Sequence, residues 1–116
     1  MYKIRYTPLA REDMLEILTY VSEELFAQKS AVKLLDKIET DILRLRENPY
    51  SGPIARDKYL VSQGIRYLVS GKYLILYKVD DASESVIVYR VVYGSRNLAF
   101  LFPEISDKTD EENRKD

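Results

Sequence analysis

The sequence predicts an α+β fold: an N-terminal strand, an antiparallel helical hairpin, then a C-terminal antiparallel meander of three or more strands. Three observations point there. Apolar residues recur at spacings of three and four between Met14 and Leu45. From residue 65 onward the spacing changes to alternation, the period of a strand. Turn formers, Ser70-Gly71 and the polar run Asp80–Glu84, divide that alternating region into hairpin-linked pieces.

Each element follows from its own residues. Tyr2–Tyr6 alternates and reads as a short strand. Thr7 is a good N-cap and Pro8 suits the first helical position, so a helix begins there. Met14, Ile17, Leu18, Val21 and Leu25 form its apolar face. After a break near residues 27–30, Ala31, Leu34, Leu35, Ile38, Ile42 and Leu45 form a second stripe, which Asn48-Pro49 ends. A loop with two prolines and a glycine follows, and residues 59–62 read as a short strand or turn. Three strands are expected over about 65–70, 72–79 and 85–92. The last is apolar on both faces, from Val86 to Val92, and should lie inside the sheet. With the helices on one face, the other is expected to be partly bare and to carry arginine and tyrosine.

The 116 residues suit one domain, assigned to residues 1–102, and residues 103–116 read as a charged, disordered tail. That tail holds three basic and six acidic residues, whereas residues 56–102 carry a net charge of +3. The overall charge of −1 therefore conceals a mildly basic sheet half, far short of a nucleic-acid coat protein. The chain has no cysteine and no histidine, which excludes disulfides and thiolate metal sites, and no cofactor or metal is expected. No apolar run approaches the ~20 residues of a membrane span. With no signal peptide at Met1-Tyr-Lys-Ile-Arg, the cytoplasm is the expected compartment.

Several pieces, taken together and in order, resemble the RelE/ParE superfamily of toxins from bacterial type II toxin–antitoxin modules. They are Tyr6-Thr-Pro-Leu-Ala-Arg-Glu-Asp13, Leu45–Pro49 with Gly52, Gly64-x-Arg66, Tyr73-Leu-Ile-Leu-Tyr77 and Arg90-Val-Val-Tyr-Gly-Ser-Arg96. The resemblance covers about residues 2–102 and is closer to the ParE-like branch. It implies a cognate antitoxin as partner, a toxin–antitoxin hetero-oligomer and, for ParE-like members, inhibition of DNA gyrase by binding. RelE-like members instead cut messenger RNA on the ribosome, using basic residues with a tyrosine or a histidine–glutamate set.

The nuclease pattern is poorly kept. Its strand arginine falls at Leu74, and its C-terminal tyrosine falls near Phe102, which has no hydroxyl. Arg96 supplies one expected cation. Cleavage through a 2′-hydroxyl needs groups that accept and donate protons near neutral pH. Arginine stabilises charge but carries protons poorly. As a nuclease, the chain would rely on Arg66, Arg96, Tyr67 and Tyr93. As a binding toxin, it would present Arg66, Arg96, Tyr93 and Lys72 to target or antitoxin. Structural readings stand beside these: Arg66 bonding turn carbonyls or a helix carboxylate, Lys72 solvated, and Arg90 paired with Asp13 or Glu16. A non-toxic interaction module remains a third possibility.

Overall fold

The computed structural model describes residues 1–24, 26–54 and 62–94. Among these residues four strands form one mixed sheet: β1 (Lys3–Tyr6), β2 (Ile65–Ser70), β3 (Tyr73–Asp80) and β4 (Ser85–Tyr93), in the order β1-β4-β3-β2. The β2-β3-β4 meander is antiparallel, as expected, and β1 runs parallel to β4. β4 is an interior strand, as its two-sided apolar character requires. Strands β2 and β3 are joined through Gly71-Lys72, with Gly71 at φ +59°, a conformation that costs glycine little.

Helix α1 spans Pro8–Thr19 and α2 spans Gln28–Leu43. Thr7 caps α1 by accepting from Ala10 N at 3.0 Å, and its hydroxyl donates to Tyr89 O at 2.8 Å. One side chain thus starts the helix and ties it to β4. The sequence suggests a single helix through Leu25; instead α1 widens into a π-helical segment, Tyr20–Glu24. Ser22 Oγ donates back to Leu18 O at 2.6 Å, a bond that competes with helical geometry. Phe26 follows at φ +50°, a left-handed position that a side chain occupies only under strain. The second helix begins at Gln28, inside the expected break, and closes through a 3-10 turn, Arg44–Arg46.

The core lies between the helices and one face of the sheet. Ala10, Ile17, Ala31, Ile38 and Ile42 pack there against Ile75, Tyr77, Val86, Val88 and Val91. Ile38 and Ile42 are wholly buried, so truncating either to alanine costs about 2–5 kcal/mol. A β-bulge keeps β4 in phase with the helices. Tyr77 pairs with Val88 but Leu76 pairs with Arg90, leaving Tyr89 as the extra residue. Val86 and Val88 face the helices before the bulge; Val91 and Tyr93 share that side after it.

The register corrects the expectation that Arg66 lies on the helix-free face. Arg66 pairs with Tyr77, a core residue, and so lies on the helix side. The opposite face, along β2, β3 and the end of β4, carries Ile65, Leu74, Leu76 and Val92, all buried. Tyr67 does lie on that opposite face. Arg96, Phe102 and the 103–116 tail lie outside the described residues.

Candidate functional site

A groove of about 1050 Å³ opens between α1 with its π-helical extension and the ends of β3 and β4. Its floor and walls are apolar, from Ile17, Val21 and Leu34 on the helical side to Val91 and Val92 on the sheet. Three tyrosines, Tyr20, Tyr73 and Tyr93, rise from these walls. Tyr73 and Tyr93 meet edge to face, with ring centres 5.5 Å apart and planes at 76°. Tyr20 and Tyr93 are more than half exposed. Lys72 enters from the β2–β3 turn, whose carbonyl accepts from Gly94 N at 2.8 Å. That bond fixes the turn against the end of β4.

Arg90 borders the same groove, but its guanidinium is committed. Nε and Nη2 donate to the two Asp13 oxygens at 2.7 and 2.8 Å, a bidentate pair. Asp13 Oδ2 also accepts from Val91 N at 2.9 Å. The bulge at Tyr89 lies beyond the last residue paired with β1, so the outer edge of β4 is free there to meet α1. The hydrogen bonds from Asp13, with help from its charge, push the Arg90 pKa up against the opposing effect of burial. The pairing expected from sequence is therefore present, and Arg90 carries no proton to a reaction.

Burial also pushes the Tyr73 hydroxyl pKa up, with Tyr93 and Tyr20 adding to the shift. A raised phenol stays protonated at neutral pH and is a poor general base. Among the described residues no group of three or more acidic side chains is placed to hold a metal ion. The groove is built to accept an apolar or aromatic surface with a cationic rim.

Of the residues singled out from sequence, the groove unites Lys72 and Tyr93. Arg66 and Tyr67 sit apart on edge strand β2. Arg66 Nη1 donates to Gly52 O at 2.7 Å, and its guanidinium lies 4.8 Å over the Tyr50 ring. Tyr50 in turn donates to Asp81, which also accepts from Tyr2 at 2.7 Å. That bond to Asp81 raises the Tyr2 pKa to about 12. Arg66 thus anchors the loop after α2, the structural option weighed from sequence. Tyr20 was not singled out from sequence; it follows the first helical stripe without belonging to it, and only the π-helical turn aims it at Tyr73.

The family described as ParE toxin of type II toxin-antitoxin system, parDE, matches residues 4–98. No curated protein matches the chain. Among solved structures, the chromosomal ParDE toxin–antitoxin system from P. aeruginosa is similar, with TM-score 0.67 and 17% identity over 82% of this chain and 98% of that one. The isolated E. coli RelE toxin aligns with TM-score 0.54 and 16% identity, covering 94% of this chain and 99% of that one. The toxin-antitoxin complex RelBE2 from Mycobacterium tuberculosis gives TM-score 0.53 and 22% identity, over 79% and 96% of the two chains. At these identities the structural likeness establishes the shared fold.

Proposed function

The chain belongs to the ParE toxin family of type II toxin–antitoxin systems, and from that premise we propose that it arrests growth by binding DNA gyrase and is neutralised by a cognate antitoxin. The observation that supports binding over cleavage is the chemistry of the groove. It offers apolar walls, three aromatic rings and the Lys72 cation. Its arginine is consumed by Asp13, and burial raises Tyr73 away from the range a general base needs. Rings on a partly exposed wall supply much contact area at little conformational cost. Lys72 and Tyr93 are the residues assigned to the target or antitoxin, with Arg96, outside the described residues, assigned from sequence and Arg66 serving a separate cationic point on β2.

Paired assays on the purified chain test this reading. With gyrase and supercoiled plasmid, the expected result is accumulated double-strand cleavage complexes. With translating ribosomes, messenger RNA should stay intact. Codon-positioned cuts and an unaffected gyrase would reverse the assignment in favour of a RelE-like endoribonuclease. Normal growth on inducible expression without antitoxin would instead fit a non-toxic interaction module.

A further inference from the structure

The helix-free face of the sheet is not uniform. Its β2–β3 end is apolar and buried, whereas its β1 end is cationic. Along β1, Ile4 and Tyr6 pack against the helical core, so Lys3 and Arg5 point to the opposite side. Arg5 pairs with Ile87, and Ile87 pairs with Lys78, which puts Arg5, Ile87 and Lys78 in one row across three strands. Lys3 lies two residues along β1 from Arg5. Lys3 and Arg5 are exposed and Lys78 is half-buried. The stem of Lys78 passes over Gly64, where an added Cβ would lie 3.8 Å from its Cε. Among the described residues, none of the three side chains has an ion-pair or hydrogen-bond partner. Among the described strand residues one acid shares the face, Asp80, in the row of Lys3, and it accepts from Ser83 at 2.9 Å.

We infer that Lys3, Arg5 and Lys78 form a second contact surface, separate from the groove, for the phosphate backbone of duplex DNA. This deepens the gyrase reading and rests on it: a protein that binds a DNA-bound enzyme would touch the DNA as well. Geometry and charge favour that occupant. The three cations are mounted on a rigid sheet, unlike charges on a loop. Two strand spacings separate Arg5 from Lys78 by roughly 10 Å, and two strand residues separate Lys3 from Arg5 by about 6.8 Å. The latter matches the axial rise of two phosphates on one DNA strand, about 3.4 Å each along the helix axis. Three unpaired cations against one carboxylate leave the patch positive on a chain whose net charge is −1. The row between them holds only Ile87 among the described residues, so binding is to the backbone and insensitive to sequence.

The test is fluorescence anisotropy of a labelled mixed-sequence 20-base-pair duplex titrated with the full chain. Binding of about 10⁻⁴ M or tighter is expected at 50 mM salt, with a log–log salt slope near −2.7 for three phosphates. The variant Arg5→Glu/Lys78→Glu should bind at least tenfold more weakly and lose about two units of slope. Lys29→Glu/Lys33→Glu, which reverses two exposed cations of α2, should bind like the parent. Far-UV circular dichroism confirms that both variants are folded. Absence of binding at 50 mM salt, equal loss in both variants, or stronger binding to duplex RNA or to an acidic peptide overturns the inference. Gyrase cleavage complexes scored in parallel separate the two proposals. Gyrase poisoning without DNA binding sinks only this surface, whereas no effect on gyrase sinks the reading beneath it.

Discussion

Removing the Asp13 carboxylate is the most informative perturbation of the groove. Asp13 and Arg90 side chains are 8% and 19% exposed, so this is a largely buried pair. Asp13 makes three hydrogen bonds: two to the Arg90 guanidinium and one to Val91 N. Asp13→Ala strands a guanidinium in a partly dry site, which costs about 3–5 kcal/mol. It also strands the Val91 amide, which alone costs about 1–3 kcal/mol. The two penalties share one relaxation, so the larger figure, about 3–5 kcal/mol, is the expected total. A domain of this length has about 6–17 kcal/mol of stability, so the variant folds but melts some 10–20 °C lower. Urea unfolding followed by circular dichroism measures the loss directly, and the m-value should not change. Replacing both partners, Asp13→Leu with Arg90→Met, should recover part of the loss, because no charge is left buried although the Val91 amide stays unpaired. A single Asp13→Ala variant within 1 kcal/mol of the parent, or a double variant no better than the single, would refute the reasoning.

Other consequences follow from the same geometry. Tyr77→Phe removes the hydroxyl that accepts from Gly52 N at 2.9 Å in a buried site and should cost about 1–3 kcal/mol in urea unfolding. Gly52→Ala should cost at least as much, since its Cβ would collide with Tyr67 O and approach the Tyr77 hydroxyl to 2.5 Å. Asp41 gives a pH signature. Burial pushes its pKa up, but hydrogen bonds from Ser70 at 2.6 Å and Lys37 at 2.9 Å outweigh this and hold it below its ordinary value. A carboxylate depressed in the folded state stabilises above its unfolded pKa of about 3.9 and loses that stability as pH falls through the folded pKa. Stability should therefore drop below about pH 4, and Asp41→Asn should flatten that part of the acid limb. The combined Tyr20→Phe, Tyr73→Phe and Tyr93→Phe variant keeps the rings and deletes the hydroxyls. Growth arrest should persist in it, whereas complete loss with a normal melting profile would point to phenol chemistry.

Much of the architecture was legible where one physical rule dominated. Thr7-Pro8 marked the start of α1 because cap and fixed φ agree, and the thermodynamic demand of the Ile38/Ile42 stripe marked α2. Arg90 with Asp13 was legible because an arginine inside an apolar strand needs a carboxylate nearby. The facing of Arg66 was not. Alternation in residues 65–70 favours Ile65, Tyr67 and Val69 as the core-facing set, yet Arg66, Leu68 and Ser70 are the residues that face the helices. The loop carbonyl of Gly52 made the choice. The bulge at Tyr89 was equally hidden, because an all-apolar run such as Val86–Val92 carries no phase. Without the bulge Tyr93 would point away from the helices, and the groove would lose one of its three rings. The π-helical turn that presents Tyr20 depends on Ser22 and the left-handed Phe26, neither of which signals such a turn by residue type.

The central claim is that the groove beside Lys72 and Tyr93 is a docking surface for gyrase. Titrating the chain into gyrase and supercoiled plasmid, and measuring trapped linear DNA, tests it most directly. The parent should give saturable linear product, and Lys72→Glu/Tyr93→Ala should need at least tenfold more protein while melting normally. No linear DNA with the parent, or an indistinguishable curve for the variant, would contradict it.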